Sequence, residues 1–300
     1  MKNSLFLTFK MKFMQQMRGI LIPIGGNENK GNEENEMYRL EFIDEGILYH
    51  VVKEAGGIKA SIVIIPTASS IPIEVGNNYI EAFTTLGCKN ISVLDIRSKE
   101  DSEKQSSIDL IRNADCVMFS GGNQSNITNK IGGTTIHRIL VDRYKNDESF
   151  VIAGTSAGAM AMTNEMISGG SASEAFFKGT VSMYKGLGLI PELIIDTHFI
   201  KRGRFGRQSE AVAKFPKLIG IGLAEDTGMI IKNGKDCTVI GSGMAIIFDG
   251  NTLTHNNEEI LEEGIPMTIA NLKVHVLSNS DQFDIKSRSV KVLPIEAPFI

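Results

Sequence analysis

Cysteine, histidine and surplus positive charge are all scarce in this 300-residue chain, and each scarcity excludes something. The three cysteines, Cys88, Cys116 and Cys237, are odd in number and widely spaced, with no C-x-x-C pair and no zinc-ligand spacing. They read as reduced structural thiols of a cytoplasmic protein. A formal net charge of −4 leaves no electrostatic footprint for nucleic acid or for an anionic membrane surface. No apolar run approaches the length of a membrane span. With five histidines in all, a general base has few candidates. The remainder is ordinary for a globular chain, at 42% hydrophobic and 22% charged residues. That length suffices for one large α/β domain or two small ones.

Read in order, the chain alternates short apolar runs with helical patterns. Residues 1–17 carry lysines and a brief apolar patch, too short and too interrupted by Lys10 and Lys12 for a secretory signal. They are expected to form a poorly ordered tail, with residues 18–300 as a single α/β domain. Strands are expected at 19–24, 61–66, 90–96, 116–120 and 150–153, with helices over 37–55, 75–86 and 102–113. Strands that are nearly all apolar, each followed by a helix, predict a mostly parallel sheet covered by helices on both faces. Ligands then gather at the carboxyl ends of the strands. Residues 167–191 read as irregular, 194–199 as a further strand running into a basic stretch over 201–207, and then a helix to Lys214. From Leu218 onward the pattern becomes a β-rich extension, with Asn233-Gly234 and Asp249-Gly250 as hairpin signals.

The centre of this organisation is Val151-Ile-Ala-Gly154-Thr-Ser156-Ala-Gly158-Ala159. A serine on a strand-to-helix turn flanked by small residues has the pattern of a nucleophile elbow. Glycines let neighbouring backbone approach, and the hydroxyl is presented above the sheet edge near amide N–H groups. A serine hydroxyl needs a general base. His50 and His137 fall inside predicted helices, and His255 and His275 in the C-terminal β region; only His198 ends a predicted strand, on the same rim as Ser156. Glu174, in the irregular segment between them, is the expected orienting acid. Asp196 is its rival, but two residues apart on one strand its side chain runs parallel to that of His198. The Ala157 amide and a glycine amide from Gly121-Gly122-Asn123 are expected to stabilise an oxyanion, and Gln124 to meet substrate. Arg202, Arg204 and Arg207 suggest bidentate recognition of carboxylates. Glu225-Asp226-Thr227, after another predicted strand, offers negative charge to a cationic substrate group.

Gly121-Gly-Asn-Gln124, Gly154-Thr-Ser-Ala-Gly-Ala159 and Asp196-x-His198-Phe-x-x-Arg202-x-Arg204-x-x-Arg207 occur in that order. Together they resemble cyanophycinase, of the serine-peptidase group that also contains peptidase E. The resemblance runs from about Gly19 to about Leu277. It implies a fold like that of class I glutamine amidotransferases, with Ser156 as nucleophile, His198 as base and Glu174 as third member. It also implies a pocket lined by Gln124, Asp196, Thr197, Arg202, Arg204 and Arg207, no metal or cofactor, and a homodimer. The implied peptide substrate is cyanophycin, a polyaspartate carrying arginine on each β-carboxyl, cut to β-aspartyl-arginine dipeptides. Thr197 stands where the family commonly has glutamine, with less reach and one donor fewer. Two alternatives accompany this reading: a peptidase E-like α-aspartyl dipeptidase, and a non-catalytic carboxylate-binding protein.

Overall fold

The strands at the heart of the molecule are apolar on both faces, and that dictates where they lie. The computed structural model describes residues 17–31, 40–171 and 174–292. Strands β1 (Ile20–Ile24), β2 (Ser61–Ile65), β3 (Asn90–Val93), β4 (Cys116–Phe119) and β5 (Val151–Thr155) pair in parallel in the order β1-β5-β4-β2-β3. Every residue of β1, β4 and β5 is buried. Alternate side chains enter two separate cores: Leu21, Val117 and Ile152 face one, Ile22, Met118 and Ala153 the other. Helices α3 (Gln105–Asn113), α4 (Gln124–Ile131) and α5 (Thr135–Asn146) contribute Ile108, Ile111, Ile127, Ile131, Ile136 and Leu140 to the first core. Helices α1 (Ile47–Glu54) and α2 (Pro72–Thr85) contribute Ile47, Val51, Tyr79 and Phe83 to the second. This is the expected two-faced cover of a parallel sheet.

The C-terminal region divides between two sheets. Strands β10 (Thr227–Lys232), β11 (Asp236–Gly241), β16 (Gln282–Asp284) and β17 (Ser289–Lys291) extend the β1 edge antiparallel, completing nine strands. The other strands, β8 (Leu193–Asp196), β9 (Ile219–Leu223), β12 (Ala245–Asp249) and β15 (Lys273–Leu277), form a four-stranded sheet in the order β15-β12-β9-β8. Helix α7 (Phe205–Lys214) packs on it, with Val212 joining Phe199, Ile246 and Phe248 in a small core of their own. The strand that precedes His198 therefore belongs to this second sheet.

Three expectations need correction. The helix expected over 37–55 begins only at Ile47, because Gly46 is extended at its cap (φ −66°, ψ 157°); residues 37–39 lie outside the described residues. The stretch 167–191 contains all of β7 (Ser182–Lys185) and the end of β6 (Glu165–Gly169), an antiparallel pair whose register shifts between Ile167 and Gly169. Asn233-Gly234 does close a hairpin, both residues at positive φ (56° and 65°). Asp249-Gly250 does not: β12 pairs with β9 and β15, and the Asp249 carboxylate accepts the Asn251 N–H at 2.9 Å to start a short 3₁₀ turn. The expected N-terminal tail lies outside the described residues except for Met17, which packs against the first core. All three cysteines are buried and free. Among the described residues no helix is long and apolar enough to cross a membrane, and no cluster of His, Cys, Asp and Glu is arranged to hold a metal ion.

Candidate active site

Three successive carbonyls at the end of β1 gather the site. The Ile24 carbonyl accepts the Ser156 N–H at 2.9 Å, that of Gly25 accepts the His198 N–H at 2.8 Å, and that of Gly26 accepts the Asp226 N–H at 3.0 Å. Loops following β5, β8 and β9 are thus fastened side by side to one strand end. All three anchored residues have positive φ, at 51°, 49° and 46° respectively, a left-handed backbone that costs L-residues energy and persists only where surroundings enforce it. The crowding has a reason at Gly26 (φ 103°): a Cβ there would lie 2.4 Å from His198 Cε1 and 2.6 Å from its Nε2. On the serine side, a Cβ at Gly158 would fall 2.7 Å from the Phe119 carbonyl oxygen. Helix α6 (Ala157–Ala161) can therefore start directly after Ser156 only with glycine there.

The three loops bring a hydroxyl, an imidazole and a carboxylate into one line. Ser156 Oγ is 3.0 Å from His198 Nε2, and His198 Nδ1 is 2.8 Å from Glu225 Oε1. The Lys201 ammonium donates to the other Glu225 oxygen at 3.2 Å. Burial, joined by the nearby charge of Arg202 and opposed by Glu225, holds the His198 pKa below its ordinary value, so the ring is neutral and able to accept a proton at neutral pH. Burial works against ionisation of Glu225, yet hydrogen bonds from His198 and Lys201 outweigh it and keep the carboxyl below its usual range. Its charge favours Nδ1 as the protonated nitrogen, which leaves Nε2 as acceptor toward Ser156.

The expected site residues meet different fates. Ser156 and His198 are brought together, but the expected third member, Glu174, is exposed, and its main-chain carbonyl accepts the Thr180 hydroxyl at 3.0 Å. Glu225 holds the imidazole in its stead. Asn123 caps α4 with its side chain, and its own N–H is taken by the Ala68 carbonyl at 2.9 Å, so it is not an oxyanion donor. Ala157 follows the serine directly at the start of α6, and Gly122 lines the same cavity wall as Ser156. Gln124 donates to the Ile167 carbonyl at 2.8 Å, and the buried Thr197 hydroxyl to Met160 Sδ at 3.4 Å. Asp196 is fully buried and bound by Arg207 (2.5 and 2.8 Å) and Arg204 (2.9 Å). Arg204 also donates to the Thr197 carbonyl at 2.6 Å, clasping the turn into His198.

Of those six expected pocket residues, Arg202 alone lines the cavity of about 440 Å³ that opens beside Ser156. Its other walls come from residues that the sequence did not single out for this purpose, among them Glu28, Lys30, Asn78 and Tyr79. Glu28 is 2% exposed. It accepts hydrogen bonds from the hydroxyls of Thr155 (2.6 Å) and Tyr79 and pairs with Lys30 at 3.0 Å. Burial opposes its charge, but Lys30 and the two hydroxyls prevail and lower its pKa. One signal for Glu225 was legible, since like His198 it follows a predicted strand.

Comparison with known proteins identifies the family and the fold. Residues 32–239 match the model of Peptidase family S51. A cyanophycinase of Trichormus variabilis is 35% identical over 283 residues, covering 94% of this chain and 91% of its own. A cyanophycinase of Geminocystis herdmanii is 32% identical over 273 residues, 91% of this chain and 96% of its own. Among solved structures, a peptidase from an acI-B1 Actinobacterium superposes with a TM-score of 0.60 over 91% of this chain and 99% of its own, at 19% identity, which shows a shared fold. The chain belongs to peptidase family S51.

Proposed function

We propose that this protein is a serine exopeptidase that hydrolyses cyanophycin or related aspartyl-arginine polymers to β-aspartyl-arginine dipeptides through an acyl-enzyme. The observation that carries the reading is the Ser156–His198–Glu225 relay, at 3.0 and 2.8 Å, in a chain that aligns with cyanophycinases over 94% of its length. Ser156, strained at φ 51° and ψ −110°, acts as a nucleophile elbow. Its Oγ attacks the scissile carbonyl carbon while His198 Nε2 takes the hydroxyl proton. The negative oxygen that develops is met by the N–H groups of Ala157 and Gly122. Glu225 stabilises the imidazolium, which then protonates the leaving amine as the carbon–nitrogen bond breaks. Water, deprotonated by the same ring, cleaves the ester and frees Ser156.

Residues 18–300 act as one peptidase unit in this reading, as a cytoplasmic homodimer. Three free, buried thiols fit a reducing compartment, and the dimer rests on the family resemblance. The decisive test is incubation with insoluble cyanophycin and with a panel of aspartyl dipeptides, with products identified by mass. Clearing of the polymer with dipeptide release, lost in Ser156→Ala, is expected. Cleavage of α-aspartyl dipeptides without clearing would overturn the substrate assignment.

A further inference from the structure

The cavity beside Ser156 has a cation that the arginine pattern did not announce. Arg204 and Arg207 are both engaged by Asp196, outside the cavity wall. The basic side chains in that wall are Arg202 and Lys30. Lys30 belongs to the loop after β1, which also supplies Gly26 beneath the His198 ring. Its ammonium lies 3.0 Å from Glu28 Oε1, 3.3 Å from the Glu28 carbonyl oxygen and 5.1 Å from the centre of the Tyr79 ring. An ammonium carries three donors, and Glu28 takes two of them.

Glu28 itself is tied to the Thr155 hydroxyl, one residue before Ser156. The ammonium is thereby fixed relative to the nucleophile through a buried carboxylate whose oxygens are already occupied. Exposure separates the partners: the Lys30 side chain is 24% accessible and that of Glu28 1%. A ligand in the cavity therefore meets the ammonium, and the acid serves to hold it in place.

We infer that Lys30 is a specificity-determining residue that binds a carboxylate of the substrate within the Ser156 cavity, alongside Arg202. The inference rests on the peptidase reading and names the residue, outside the arginine cluster, that selects acidic peptides. The probe is a short oligomer of β-aspartyl-arginine units with free carboxylates, cleaved between units, against the same oligomer with its carboxylates amidated. A charge-assisted hydrogen bond contributes enough to change affinity about 10- to 100-fold. Lys30→Met is expected to raise KM for the free acid by about that factor, to leave kcat within about threefold, and to leave the amide unaffected. Lys30→Arg is expected to keep most of the acid preference.

Should Lys30→Met unfold because Glu28 loses its partner, Glu28→Gln/Lys30→Met removes both charges and takes the same measurement. An acid-to-amide ratio equal to that of the unmodified enzyme overturns the inference. The peptidase reading fails separately, through absence of any turnover. In that case calorimetric titration of β-aspartyl-arginine and its amide into Ser156→Ala, with and without Lys30→Met, still decides: equal affinities in the two proteins sink the Lys30 contact.

Discussion

Two carboxylates stand at the ends of neighbouring parallel strands, and they have opposite uses. Asp196 ends β8, and Glu225 follows β9, in a pair registered as Asp196 opposite Gly222. Each takes two basic partners: Arg204 and Arg207 in one case, His198 and Lys201 in the other. Asp196 is buried against two guanidinium groups that never lose their charge and also accepts the Thr197 N–H, so it acts as a clasp on the turn into His198. Glu225 faces the imidazole of His198, a titratable ring that the proposed mechanism charges during turnover, so in that mechanism its field acts on a reacting group. What separates a structural ion pair from machinery here is whether the partner titrates.

Substitution at the two acids should break the comparison cleanly. Glu225→Gln is expected to lower kcat by about 10³- to 10⁴-fold, the range seen when the acid of such a relay loses its charge, with little change in melting temperature. Glu174→Gln, by contrast, should leave kcat within about twofold. Asp196→Asn should show the reverse signature. It leaves the buried guanidinium of Arg207 and the partly buried one of Arg204 uncompensated, a defect of about 3–5 kcal/mol, read as a lower midpoint in urea unfolding. An Asp196→Asn protein of undiminished stability with a raised KM would mean instead that the acid meets substrate.

The sequence singled out Ser156 and His198, which the fold brings within 3.0 Å, because both depend on a local feature, a strand followed by a turn. It missed Glu225 although that acid, like His198, follows a predicted strand, because the strand-end signal reads equally as charge for a substrate cation and names no partner. Glu174 lies between nucleophile and base along the chain, but order along the chain does not set order in space. The pairing of β9 beside β8 does, and that contact joins segments separated by α7. The same limit explains Gly25-Gly26. A glycine pair after an apolar strand reads as a turn, and only the packed structure reveals three loops hanging from consecutive carbonyls there. The arginine run was legible as charge, whereas its direction depended on Asp196 being enclosed.

Gly26→Ala tests that junction without touching either acid. The added methyl would overlap the imidazole, 2.4 Å from Cε1, and displace it from Ser156. A misplacement of this order costs about 10²-fold in kcat, with KM little changed. Gly57→Ala is the control: it has a similar φ of 90°, and a Cβ there would meet nothing within 4 Å. If both variants lose the same stability and neither loses activity, the close approach at Gly26 has no catalytic meaning. Repeating Gly26→Ala in a His198→Ala background removes the overlap, so the extra loss of stability beyond the control should vanish.

The smallest expected effect concerns Lys201, and its sign follows from the relay. His198 must be neutral to accept the Ser156 proton, and burial first, then the charge of Arg202, lowers its pKa below the ordinary 6.5. The kcat/KM profile should therefore be flat through neutral pH and fall on the acid side with a midpoint under that value. Lys201 lies against Glu225 and offsets part of the field that the carboxylate exerts on the imidazolium. Lys201→Met removes that offset, so the charged ring is better stabilised and the acid limb moves upward, toward 6.5. The ammonium side chain is 65% exposed, and an exposed pair is worth about 0.2–1 kcal/mol. At 1.36 kcal/mol per unit that is a displacement of about 0.1–0.7 pH units, with the plateau above pH 7.5 unchanged. A limb that moved downward would mean that Lys201 acts on the ring by another route than Glu225, and the carboxylate would then be less dominant over His198 than the geometry implies.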